Sequence, residues 1–207
     1  LKISNTSSTN NVNGTIDDAR IYNYALSQAQ ISYIYNRGAP VAWYKFDECQ
    51  GTTIYNSAVN ANGAAAGMNG TITLGAAPSI GDCTTASTAW GNGATGKYNS
   101  SLDFDGSDDV ATVTNVTAID FDSGLQNGYT ASAWINAGTA GESNVGQVFN
   151  KSANHYLRVD NPSGTSLDVE ANFDLATTDA NVNASAAITT GTWNHLVMTS
   201  NGSTTAT

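Results

Sequence analysis

Apolar and polar residues alternate in short bursts along most of this 207-residue chain. Residues 129–135 put Tyr129, Ala131, Ala133 and Ile135 on one side and Trp134 on the other. Period two of this kind marks a strand with one buried face. Similar runs over residues 41–46, 101–105, 110–116, 145–149, 156–159, 167–173 and 193–199 predict further strands. Turn signals such as Asp105-Gly106, Asn127-Gly128 and Asn161-Pro162 separate them. Many short strands with such turns predict an all-β fold, an antiparallel two-sheet sandwich.

One stretch breaks the pattern. Ser27 with Gln30 three residues on has capping-box spacing, and Ile31 and Ile34 give an apolar side. Asn36-Arg37-Gly38 and Pro40 then stop the run, which predicts one short helix over residues 27–35. Residues 16–22 before it read as a strand. Residues 58–99 are rich in Ala, Gly, Asn and Thr and sparse in large apolar residues, a long loop unless something ties it down. Residues 70–74 could form a short strand within it. Residues 174–190 read as a loop with one irregular strand.

Composition narrows the partners. The chain is 12% charged, with 17 acids against 7 bases and a net charge of −10, and no basic cluster suggests nucleic acid. No apolar run approaches the ~18 residues of a membrane-spanning helix. Cys49 and Cys83 are the only cysteines and lack a CxxC spacing. They pair as a disulfide or stay as two buried thiols; the Thr- and Asn-rich, Lys-poor composition suits a secreted or cell-surface protein, where a disulfide persists. Both ends read as cuts within a longer protein.

Several motifs resemble the laminin-G-like (concanavalin A-like) jelly-roll domains of bacterial surface and secreted proteins. Trp43-Tyr44-Lys45-Phe46-Asp47-Glu48, followed by Gly51-Thr52-Thr53 and Asn56-Ser57, resembles the opening strand. The segment from Gly96 through Leu102-Asp103-Phe104-Asp105-Gly106 resembles the second-strand signature. Tyr129-Thr130-Ala131-Ser132-Ala133-Trp134-Ile135 and Thr192-Trp193-Asn194-His195-Leu196-Val197 resemble later core strands. Gly14-Thr15-Ile16-Asp17-Asp18-Ala19-Arg20-Ile21-Tyr22 resembles the closing strand, yet it comes first. The resemblance therefore implies that residues 1–38 are the closing strands and helix of one unit, and residues 39–207 the opening and central strands of the next. It also implies that residues near 1–24 pair with 41–46, giving a sandwich like a circular permutation. A strand-swapped dimer is the alternative.

Candidate chemistry follows from that junction. If those strands are neighbours, Asp17, Asp18, Asp47 and Glu48 meet, and like charges that close need a cation or a proton. Calcium with Asn56 and nearby carbonyls would serve, since calcium takes six to eight oxygens; otherwise Asp17 pairs with Arg20 or Lys45. Asp105, Asp108 and Asp109 are a second cation candidate, although Asp-Gly more often marks a hairpin turn. Sugar binding needs exposed aromatic rings. Trp90, in a Gly/Asn-rich loop, is the expected exposed tryptophan, with Tyr98 and Tyr156 as further candidates. Trp43, Trp134 and Trp193 belong to strand signatures and are expected in the core, with His195 structural. Residues 167–174 lack the ordered carboxylates of retaining glycosidases in this fold, and no Gly-x-Ser-x-Gly is present. The expected function is a non-catalytic extracellular domain for glycan recognition or cell-surface adhesion. A ligand-free structural spacer in a tandem array is the rival, and a glycoside hydrolase the third reading.

Overall fold

The computed structural model describes residues 15, 19–27, 30, 34, 40–58, 68–75, 77–114, 129–152, 155–173 and 180–200. Their regular structure is mostly strand, all of it paired antiparallel. Strands β1 (Thr53–Ile54), β2 (Gly70–Thr73) and β3 (Val110–Val113) form one sheet in that order. Strand β4 (Tyr129–Ile135) is followed by a meander of β5 (Val145–Ser152), β6 (His155–Ser163), β7 (Ser166–Phe173) and β8 (Ala180–Thr189). The chain then returns as β9 (Asn194–Ser200) to pair with β4 along its whole length.

Two apolar cores result. The larger lies between the β4–β9 ladder and the β5–β8 sheet, and period two sets its membership. Leu157 and Val159 of β6, Leu167, Ala171 and Phe173 of β7, Ile188 of β8 and Leu196 and Met198 of β9 all point into it. The expected facing of β4 holds: Ala131 lies opposite Met198 and Ala133 opposite Leu196, while Trp134 lies opposite His195 on the other side. Each fully buried Leu or Phe here stabilises by roughly 1.5–3 kcal/mol.

The smaller core gathers Ile54, Ile72, Ala89, Trp90 and Leu102, with Tyr44, Phe46 and Cys83 packed against it. It ties down the long loop. A short helix, Ala89–Asn92, carries Trp90 inward, and Thr88 Oγ1 caps it by accepting the Gly91 N–H at 3.0 Å. Cys49 and Cys83 form the disulfide, with a Cα–Cα separation of 5.0 Å; the alternative of two free thiols is ruled out.

Some expected elements differ. Residues 41–46 are irregular apart from a bridge between Tyr44 and Asn56. Here Asn56 Oδ1 takes the Trp43 N–H at 2.9 Å, replacing a ladder partner, and Phe46 (φ 56°) and Cys49 (φ 55°) turn out of the extended region. Residues 101–105 are also irregular: the Ser101 N–H bonds Gly93 O at 2.7 Å and holds Leu102 in the small core. Strand β8 is longer and more regular than its weak pattern predicts, because most of it is exposed on both faces and so shows no alternation.

The N-terminal expectations fall mostly outside the described residues. Gln30 and Ile34 are helical, and the capping box forms both ways: Ser27 N–H donates to Gln30 Oε1 at 2.8 Å, and Gln30 N–H to Ser27 Oγ at 3.4 Å. Residues 19–22 are not strand, and Ile21 is 67% exposed. Asp17, Asp18 and the rest of residues 1–18 except Thr15 lie outside the described set, and with them the pairing expected across residues 1–38 and 39–207. Among the described residues no helix is long and apolar enough to cross a membrane.

Candidate functional site

The expected sugar-stacking residues change places. Trp90 is completely buried, because its indole fills the small core and its Nε1–H donates to Gly51 O at 2.9 Å. Tyr156 is also buried, its hydroxyl donating to Glu170 Oε1 at 2.9 Å. Neither can stack on a ligand as expected. Two tryptophans expected in the core are instead open: Trp43 is 50% exposed and Trp134 is 37% exposed. Tyr98 fits its expected role in exposure, at 66%.

Trp134 lies at the centre of an aromatic surface. It points outward from β4 because its neighbours Ala133 and Ile135 point inward. Cross-strand pairing puts His195 beside it, with ring centroids 4.9 Å apart and planes 27° apart. Tyr98 meets it edge-on at 6.1 Å, and Lys97 Nζ sits 4.6 Å over the ring. His195 and Tyr98 are exposed. Strands β4 and β9 contain no Asp or Glu, so this ladder is free of carboxylates in a chain of net charge −10.

The loop that presents Lys97 and Tyr98 is fixed by an expected metal ligand. Asp47 accepts from the Asn99 amide at 3.2 Å and from the Ser100 N–H at 3.3 Å, while Ser100 Oγ donates to Phe46 O at 3.0 Å. Gly96 N–H closes the turn on Asn99 O at 2.8 Å. Asp47 therefore anchors a loop here. Asn56 is buried by the Trp43 and Ala58 N–H groups it accepts, which accounts for its side-chain oxygen as a structural acceptor. Glu48 Oε1 takes the Tyr55 N–H at 2.8 Å beside an open cavity of about 530 Å³ lined by Gln50, Thr52, Thr53 and Tyr55. Its Oε2 has no hydrogen-bond partner and is shielded from solvent.

Two charged constellations remain. Asp105, Asp108 and Asp109 bring carboxylate oxygens within 4.8 Å of one another at the turn before β3. Three such groups could hold a hard cation, but part of their capacity is already used: Asp109 accepts the Gly75 and Asp105 N–H groups, and Asp105 the Ser107 N–H. No hairpin is made there, since residues 101–105 are irregular.

The second lies on the outer face of the β6–β8 meander. Arg158 Nε donates to Glu170 Oε2 at 2.9 Å and to Asp160 Oδ2 at 3.1 Å, and Tyr156 and Asn181 donate to Glu170 Oε1. Burial pushes Glu170 up, yet the hydrogen bonds from Asn181, Asp160, Tyr156 and Arg158 outweigh it and hold the carboxyl below its ordinary value. Burial, then the hydrogen bond with Glu170, raises Asp160. Such a split marks a shared proton and can mark a functional site. Here every strong acceptor of Glu170 is engaged by neighbouring side chains, the arrangement of a structural network.

The antiparallel β sandwich agrees with one comparison. Residues 105–207 match a laminin-G family model described as the concanavalin A-like lectin/glucanases superfamily. The second half of the chain belongs to this superfamily. The chain matches no curated protein and no solved structure. The laminin-G-like half carries Trp134 and His195, while Lys97 and Tyr98 come from the segment before it. Trp134 could have been found from the sequence: it breaks the inward alternation of residues 129–135. His195 is its cross-strand partner only once the β4–β9 register is known.

Proposed function

We propose that this chain is a non-catalytic, extracellular carbohydrate-binding domain. The exposed surface of Tyr98, Trp134, His195 and Lys97 carries the reading. Pyranose rings present C–H faces that stack on aromatic rings, and Lys97 with the Thr and Ser hydroxyls of β4 and β9 supplies polar partners around them. The superfamily supports carbohydrate binding as the general activity, and the Cys49–Cys83 disulfide is compatible with an oxidising compartment. A divalent cation such as calcium at Asp105, Asp108 and Asp109 would brace the turn before β3.

A glycan array followed by calorimetry tests the reading. Trp134→Ala should lower affinity for the best glycan by about two- to twelvefold, since ring stacking is worth ~0.5–1.5 kcal/mol, and leave the far-ultraviolet spectrum unchanged. A folded wild-type chain that binds nothing on the array leaves the structural-spacer reading in its place. Release of reducing sugar from a polysaccharide panel would instead establish the hydrolase.

A further inference from the structure

The open cavity beside the smaller core carries one unbalanced charge. Glu48, Gln50, Gly51, Thr52, Thr53 and Tyr55 line its volume of about 530 Å³, which is within the range of small-ligand sites. Its backbone is held from behind. The Trp90 Nε1–H donates to Gly51 O at 2.9 Å and the Ile72 N–H to Thr52 O at 2.7 Å, and the Cys49–Cys83 disulfide ties down the residue between Glu48 and Gln50. Tyr55 turns outward, 55% exposed, because Ile54 and Asn56 on either side of it are buried. Its N–H donates to Glu48 Oε1 at 2.8 Å and so fixes the carboxylate. Glu48 is the one charged residue of the lining, and its Oε2 receives no hydrogen bond and is shielded from solvent.

Among the described residues no cation pairs with Glu48. Lys45, the cation nearest to it in sequence, instead has its Nζ 4.4 Å over the Trp43 ring, and the ion pairs of the described residues belong to Arg158. A carboxylate oxygen cut off from water and donors is costly to keep charged, and a positive charge brought alongside offsets that cost. We propose that this cavity binds an amino sugar, with its ammonium group against Glu48 and its ring against Tyr55.

Three features select that ligand. The first is charge: a lone carboxylate in a chain of net charge −10 repels anions and attracts cations. The second is the exposed Tyr55 ring, since cations are drawn to aromatic faces and the C–H face of a pyranose packs on them. The third is the rest of the wall. The Gln50 amide and the Thr52 and Thr53 hydroxyls both donate and accept, as sugar hydroxyls do. An ammonium on a bare hydrocarbon stem, such as a lysine side chain, leaves those groups without partners. A bare calcium ion takes six to eight oxygens, more than a lining with one carboxylate, half engaged by the Tyr55 N–H, is built to give. The site shares no residue with the Trp134 surface, so it stands or falls independently of that reading.

Calorimetric titration of the full 207-residue chain tests the proposal, at a pH where sugar amines are protonated. The probes are a glucosamine trimer, its N-acetylated counterpart, a glucose trimer and trilysine. The glucosamine trimer should bind, and the two neutral trimers at least about tenfold more weakly, as the loss of a charged hydrogen bond requires. Glu48→Gln keeps an oxygen for the Tyr55 N–H and removes the charge; it should weaken the glucosamine trimer by about tenfold or more. Asp103→Asn removes a charge outside the lining and keeps an acceptor for the Asn92 amide, so it should bind as the wild type does. Both variants should keep the wild-type far-ultraviolet spectrum. Tyr55→Leu should weaken binding a few-fold. A wild type that does not bind the glucosamine trimer overturns the proposal, as does equal affinity for the neutral trimers. Equal losses for Glu48→Gln and Asp103→Asn would reduce the binding to diffuse attraction by an acidic chain. Trilysine bound as tightly as the glucosamine trimer would put a peptide in the cavity instead of a sugar.

Discussion

Replacing Trp90 should damage the smaller core and leave the rest of the chain folded. Trp90 is fully buried among Ile54, Ile72, Ala89 and Leu102, and donates its indole N–H to Gly51 O. Truncation to Ala removes the packed ring and leaves a cavity, at about 3–5 kcal/mol for buried Trp or Phe. The stranded Gly51 carbonyl adds ~1 kcal/mol. The expected loss is therefore about 4–6 kcal/mol. For a chain of this size ~1 kcal/mol moves the melting temperature by roughly 2–4 °C, so the shift should be on the order of 10–20 °C. Trp90→Phe keeps a ring and loses the hydrogen bond and some volume, so it should cost only about 1–3 kcal/mol. Urea unfolding followed by circular dichroism measures both. Hydrogen exchange locates the effect: protection should fall across residues 44–113 and persist in β4–β9 and β5–β8. A Trp90→Ala loss below ~1.5 kcal/mol, or equal losses for Ala and Phe, would refute the assignment of Trp90 as the packed, hydrogen-bonded centre of that core.

Two further outcomes follow from the same geometry. Gly91 lies in the short helix, where Ala is ordinarily the better helix former by ~1 kcal/mol; yet a Cβ there would meet Thr85 O at 1.8 Å, so Gly91→Ala should destabilise by about 1–3 kcal/mol, and a rise in melting temperature would contradict the packing described. Glu170 is held below its ordinary value by its donors once they outweigh burial, so its contribution is present above the unfolded-state value and is lost as the pH falls through the lower folded value. Asp160, raised first by burial, acts in the opposite sense: its contribution is present at low pH and is lost as the pH rises through its folded value. Glu170→Gln should therefore flatten the acid limb of stability measured by urea unfolding between neutral pH and pH ~3, and an unchanged limb would show that the Arg158–Glu170 contact contributes nothing there.

Local pattern determined much of this protein. Alternation over residues 129–135, 156–159, 167–173 and 193–199 specified strands because only a half-buried strand reads with period two, and it fixed which face of β4 turns inward. Ser27 and Gln30 specified their capping box through spacing alone. Family motifs pointed to the concanavalin A-like class. Tertiary structure decided the rest, for a physical reason in each case. Residues 181–187 of β8 are exposed on both faces, so no alternation announces that strand. Whether a tryptophan is core or surface depends on what packs over it: the loop holding Trp90 closes into a core around the Cys49–Cys83 disulfide, while Trp134 is flanked only by the surface side chains of Lys97, Tyr98 and His195 and stays 37% exposed. Asp47 and Asn56 offered oxygens fit for a cation, yet the fold supplied backbone N–H groups first. The meeting of Tyr98, Trp134 and His195 joins residues nearly a hundred positions apart, and only the register of β4 with β9 and the anchoring of the Ser100 loop bring them together.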